Sequence, residues 1–149
     1  MDAQLKGLLK TLDQNYAKLP SLPKGGVELI VNFAPWLALI FGVLAVLTGV
    51  AAFGFLSVLS PFAMVAGAGS YAVLGMVYGV LLLAQGVLEL LAFPSLKARK
   101  VRGWNLMFYS LVLGLVGSIF TLSVSSIVGG VLGVLIGYYF LYQVKSYYK

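Results

Sequence analysis

Charge is missing from two long stretches of this chain of 149 residues, and that gap constrains its fold more than any other feature. Sixty residues separate Glu28 from Glu89 without a charge, and 42 separate Arg102 from Lys145. About 20 apolar residues cross the roughly 30 Å hydrocarbon core of a bilayer as a helix, so each stretch holds two crossings and a turn. A membrane β-barrel would instead alternate apolar and polar residues in segments of about ten. Runs such as LALIFGVLAVLTGVAAFGFL (37–56) do not alternate. With 61% hydrophobic and 9% charged residues, the chain also lies far from a soluble domain, which is about half apolar and a quarter charged. The predicted fold class is all-α integral membrane: a four-helix transmembrane bundle of two hairpins behind an N-terminal amphipathic helix.

Residues 1–26 are read as that amphipathic helix and a linker, and 27–149 as the four-span membrane domain. Leu5, Leu8, Leu9, Leu12 and Tyr16 share one face, Lys6, Lys10 and Asp13 another, and Asp2 is the expected N-cap. Such a helix either lies on an anionic leaflet with its lysines toward headgroups or packs on the bundle. LPSLPKGG (19–26) then breaks and re-aims the chain. The spans are expected at about 27–53, 64–92, 103–122 and 126–146, with turns at SVLSP (57–61) and SVSS (123–126). The tripeptide VAA (50–52) suits a signal-peptide cleavage site, but the apolar segment before it is too long and another span follows, so the first span is expected to be retained.

On this topology all ten cations fall on one side of the membrane, and the positive-inside rule makes that side cytoplasmic. The expectation is a multi-pass protein of a bacterial inner (plasma) membrane with both termini cytoplasmic. The loop SLKARKVRGW (95–104) concentrates Lys97, Arg99, Lys100 and Arg102. Flanked by hydrophobic hairpins and lacking a stacking platform, these cations are read as serving topology or anionic lipid, with no nucleic-acid partner expected.

VLGMVYGVLLLAQ (73–85) and VLGVLIGYYFLYQ (131–143) share six identities at an offset of 58, which suggests a duplicated hairpin or chance in a low-complexity sequence. Small residues recur at helical intervals in every span, including Gly42, Gly49, Gly75, Gly79, Gly114, Gly117, Gly129, Gly133 and Gly137. Such rows let backbones approach where lipid supplies no hydrophobic drive between helices. They serve packing within one chain, or assembly as a homo-oligomer or with other membrane subunits.

Four polar residues form a candidate polar or ion site: Glu28 with Asn32, and Gln85 with Glu89, each pair four apart on one helix face. In an antiparallel hairpin the two carboxyls and then the two amides are expected to meet in layers. Glu89 sits near a helix C-terminus, where the macrodipole disfavours an anion, so a counter-ion is expected among Lys24, Lys97, Arg99 and Arg102. The layer is read either as a structural ion pair or as a cytoplasm-facing transport site. Trp36, Trp104 and the tyrosines of GYYFLYQVKSYYK (137–149) are expected in the interfacial aromatic belt.

No catalytic residue, metal ligand set or cofactor is expected. The chain has no histidine or cysteine, no phosphate-binding loop, and no base beside its serines.

From RKVRGW through the last two spans to GYYFLYQVKSYYK the sequence resembles the second half of small uncharacterised bacterial four-span membrane proteins, a resemblance over the C-terminal third that implies no residue roles. Four-span small multidrug transporters are similar in size, but their essential glutamate lies well inside the first span, whereas Glu28 lies at its edge. The leading expectation is a non-enzymatic assembly, scaffold or accessory subunit acting through helix packing. The alternatives are a small transporter or channel, or a hairpin protein that shapes membranes.

Overall fold

The computed structural model describes residues 3–149. Asp2, the expected N-cap, lies outside the described residues, as do the side chains of Leu5 and Leu8. Five α-helices follow one another: α1 (Ala3–Tyr16), α2 (Lys24–Val65), α3 (Gly69–Lys97), α4 (Val101–Phe120) and α5 (Val124–Val144), with a 3-10 turn over Lys145–Tyr147. No strand occurs among the described residues. The last four helices are each long and apolar enough to cross a membrane, so the protein is an all-α, multi-pass bundle.

α2 runs straight through the turn expected at 57–61. Pro61 lacks an N–H, which leaves the carbonyl of Ser57 without its helical donor. The Ser60 hydroxyl donates to that carbonyl at 3.0 Å, so the break is repaired within the helix. The chain turns later, at Ala66–Ala68. Gly67 takes φ +76°, and the Ala68 N–H closes the helix end on the Ala63 carbonyl at 2.7 Å. At 42 residues α2 is about 63 Å long, roughly twice the hydrocarbon thickness. The tip of the α2–α3 hairpin therefore outreaches α4 and α5, which have 20 and 21 residues.

Glycine sets the α2–α3 interface. A Cβ on Gly86 would meet the Gly42 carbonyl oxygen at 2.7 Å, and one on Gly49 would meet the Gly79 carbonyl oxygen at 2.9 Å. The two contacts lie seven residues apart on each helix, the spacing of a left-handed antiparallel seam. Gly103 plays the same part between α3 and α4, where a Cβ would meet the Leu96 amide nitrogen at 2.6 Å.

α4 packs on both α3 and α5. At the loop end Trp104, Phe108 and Tyr138 form an aromatic cluster, with the Trp104 Nε1–H donating to the Leu141 carbonyl at 2.8 Å. Trp104 and Tyr138 thus lie in the core, because α4 begins at Val101 and its first turns are already covered by α3 and α5. α1 docks against the loop end of α5: Leu9 and Tyr16 are buried, the Tyr16 hydroxyl reaches the Leu135 carbonyl at 3.0 Å, and Asp13 takes an ion pair from Lys145 and a hydrogen bond from Tyr138. α2 and α5 scarcely touch, which leaves a seam in the bundle.

Candidate functional site

Glu89 lies two turns before the end of α3, about 12 Å along the axis from Lys97. It points inward and is 6% exposed. Its Oε1 accepts the Ser110 hydroxyl of α4 at 2.6 Å and the Gln85 amide, one turn earlier on α3, at 3.1 Å. Its Oε2 has no partner among the described residues. A buried polar atom without a hydrogen bond costs about 1–3 kcal/mol, and more when it belongs to a charged group, so native structures seldom keep one without reason.

The counter-ion expected from the sequence is missing from this arrangement. Among the described residues the one ion pair joins Lys145 to Asp13. Lys97 turns outward over the rings of Trp36 and Phe93, at 5.8 and 6.0 Å. Arg99 donates to the Asn32 side-chain oxygen at 3.4 Å, while Lys24, Lys100 and Arg102 are exposed. The cations belong to the loop surface and the carboxyl to the bundle interior, roughly two turns apart.

The free carboxyl oxygen belongs to a residue that lines a cavity of about 620 Å³ in the seam between α2 and α5. Its walls are mostly apolar, with Phe33, Leu37, Phe41 and Leu44 from α2 facing Phe140 and Leu141 from α5. Thr48, Tyr78 and Gln85 supply polar points deeper in, and no lysine or arginine lines it. At the loop end stands Tyr148, 4% exposed, whose hydroxyl is the second buried polar atom without a partner. The backbone fixes it there, since the Lys149 N–H bonds the Arg99 carbonyl at 3.0 Å and the Val101 N–H bonds the Lys149 carbonyl at 3.2 Å. Burial raises the Tyr148 phenol above its ordinary pKa, so the hydroxyl remains a donor throughout the neutral range. The two residues that carry these unpartnered, buried oxygens therefore both line one apolar cavity.

Two members of the expected four-residue layer stand elsewhere. Gln85 and Glu89 do meet, but Glu28 and Asn32 are exposed. The buried stripe of α2 runs through Val27, Val31, Pro35, Ala38, Gly42 and Gly49, and Glu28 and Asn32 sit one residue, or about 100°, away from it. Ser110, which fills the place expected for an α2 side chain, reads in the sequence as one more small residue of a packing row. Tyr148 reads there as part of the aromatic tail. A small polar residue level with Glu89 was the available signal.

The glycine rows divide as well. Gly42, Gly49, Gly75, Gly79, Gly114, Gly117 and Gly137 all face neighbouring elements within the chain, whereas Gly129 and Gly133 on α5 face open space.

No family model, curated protein or solved structure matches the chain. Among the described residues no cluster of three acidic side chains could hold a metal. What the arrangement offers is a carboxyl and a phenol, each with a buried oxygen that has no partner among the described residues, on residues that line an apolar cavity between two helices.

Proposed function

We propose that this protein binds a membrane-soluble amphiphile in the α2–α5 seam, as a non-enzymatic, multi-pass protein of a bacterial inner membrane with both termini cytoplasmic. The observation that carries the reading is the unpartnered Oε2 of Glu89 on a residue lining a mostly apolar cavity. Its volume of about 620 Å³ falls in the range of roughly 300 to 1,000 Å³ typical of small-molecule sites. Lateral access suits a ligand that arrives dissolved in lipid, with its apolar part along Phe33, Leu37 and Phe41 and its polar part at Glu89. On the cytoplasmic surface, Lys6 and Lys10 of α1 and the exposed Lys100 and Arg102 meet anionic headgroups.

The test uses purified protein in nanodiscs and the neutral probe 1-dodecanol, with empty nanodiscs as reference. Saturable one-site uptake is expected, and Ala45→Trp, which adds bulk to the cavity wall, should abolish it. Uptake no different from empty nanodiscs, for this probe and for charged compounds of the same chain length alike, contradicts the reading.

A second reading, assembly through helix packing with another copy or another membrane subunit, is favoured by Gly129 and Gly133. They lie four residues apart on α5 with nothing within 4 Å of a Cβ at either, the pattern of a helix face that accepts a neighbouring helix. Gly133→Ile should then lower the mass of the species in mild detergent without altering helix content. A wild-type protein that runs as a partner-free monomer contradicts this second reading.

A further inference from the structure

We infer that the ligand's polar group is a protonated amine bearing at least one N–H, on an alkyl or aryl-alkyl body. The inference rests on the cavity being a ligand site, and it adds the chemical class.

Both protein donors to the Glu89 carboxyl, Ser110 Oγ and Gln85 Nε2, are spent on the same oxygen, Oε1. Oε2 is left without a donor although its residue is almost fully buried. A carboxylate oxygen is an acceptor only, so whatever completes it must carry a hydrogen to donate. Among the described residues no cation pairs with Glu89, and the cavity wall contains no lysine or arginine. A charge in apolar surroundings is costly unless paired, and a cationic ligand supplies the missing pair as well as the missing hydrogen bond.

The rest of the wall agrees with a cation. Phe33, Phe41, Tyr78 and Phe140 line the cavity, and ring faces attract ammonium groups by about 0.5–2 kcal/mol. A fatty acid would place a second carboxylate beside Glu89, with no lining cation to offset the repulsion. A neutral alcohol satisfies the hydrogen bond and leaves the charge unpaired. A quaternary ammonium pairs the charge and brings no hydrogen for Oε2. Only an ammonium with an N–H meets both needs.

Four compounds sharing one twelve-carbon chain separate these cases: dodecylamine, dodecyltrimethylammonium, 1-dodecanol and dodecanoate, titrated calorimetrically into the protein in zwitterionic nanodiscs at neutral pH, against empty nanodiscs. Dodecylamine is expected to bind at least tenfold more tightly than dodecanol and than the quaternary ion, with dodecanoate weakest. Glu89→Gln is expected to erase the preference for the amine while dodecanol still binds. If dodecanol, dodecanoate or the quaternary ion equals or exceeds the amine in the wild-type protein, the assignment of an N–H ammonium is overturned and the cavity remains a ligand site. If none of the four binds saturably, the assignment and the underlying reading both fall. The wild-type series decides between these outcomes even if the Glu89→Gln protein does not fold.

Discussion

Ser110 is the residue on which the geometry of Glu89 turns. Its hydroxyl is fully buried and donates at 2.6 Å, so Ser110→Ala leaves Glu89 Oε1 with only the Gln85 amide. Loss of a hydrogen bond to a buried acidic group costs about 1–3 kcal/mol, and the variant should unfold correspondingly earlier in a denaturant titration. The glycines give a sharper contrast. Gly86→Ala drives a methyl into the Gly42 carbonyl and the Val46 backbone of α2, neither of which can rotate away, and overpacking of that kind costs about 1–3 kcal/mol. Gly133→Ala meets nothing and replaces a poor helix former, so it should be neutral or stabilising by up to about 1 kcal/mol. The same titration checks all three variants. From the sequence, the pairing of Gln85 with Glu89 was legible because both lie on one helix and a spacing of four fixes a common face. Ser110 and Gly86 were not, because their roles depend on register between helices, which residue spacing within one helix does not encode.

Helix ends make the next scale, and here the chain departs from local preference. Arg99 holds the left-handed conformation, φ 51°, at the end of α3, where the Lys100 N–H closes on the Ser95 carbonyl at 2.9 Å. Glycine occupies that position without the roughly 1–2 kcal/mol that an L-residue loses there. Arg99→Gly should therefore raise stability by about 1 kcal/mol, since among the described residues the one side-chain bond it gives up is the long one to Asn32 at 3.4 Å. A fall in stability would mean that the guanidinium holds the loop more strongly than its geometry indicates. The helices themselves were legible as apolar runs too long to be anything else. The end of α2 was not, because Pro61 and its neighbouring serines are ordinary turn residues in water. In an apolar segment Ser60 satisfies the freed Ser57 carbonyl more cheaply than a break would expose several others. Likewise α1 reads as amphipathic from its pattern, but its attachment through Asp13, Lys145 and Tyr138 depends on a tail more than 120 residues away.

For the whole molecule, the uneven closure of the bundle matters most. If the two hairpins were packed as equivalent copies, α2 would meet α5 as α3 meets α4. Instead Gly103 draws α4 against α3, while α2 presents Leu29, Phe33, Leu37 and Phe41 to the α5 side of the bundle and leaves a cavity there. The four spans and the scarcity of charge could be read from composition, but an opening between first and last spans could not, because both are apolar on every face. Topology is tested by single cysteines: Ala66→Cys, in the α2–α3 turn, and Ser125→Cys should react with an impermeant thiol reagent from outside and Lys100→Cys should not, and the reverse pattern contradicts the proposed orientation.

The central claim is that the Glu89 carboxyl is reached sideways from lipid, and a carbodiimide labelling comparison tests it most directly. A hydrophobic carbodiimide, which enters through the bilayer, should modify Glu89; a water-soluble carbodiimide should modify the exposed Glu28 and spare Glu89, as read from peptide masses. Modification of Glu28 alone by both reagents would contradict the account.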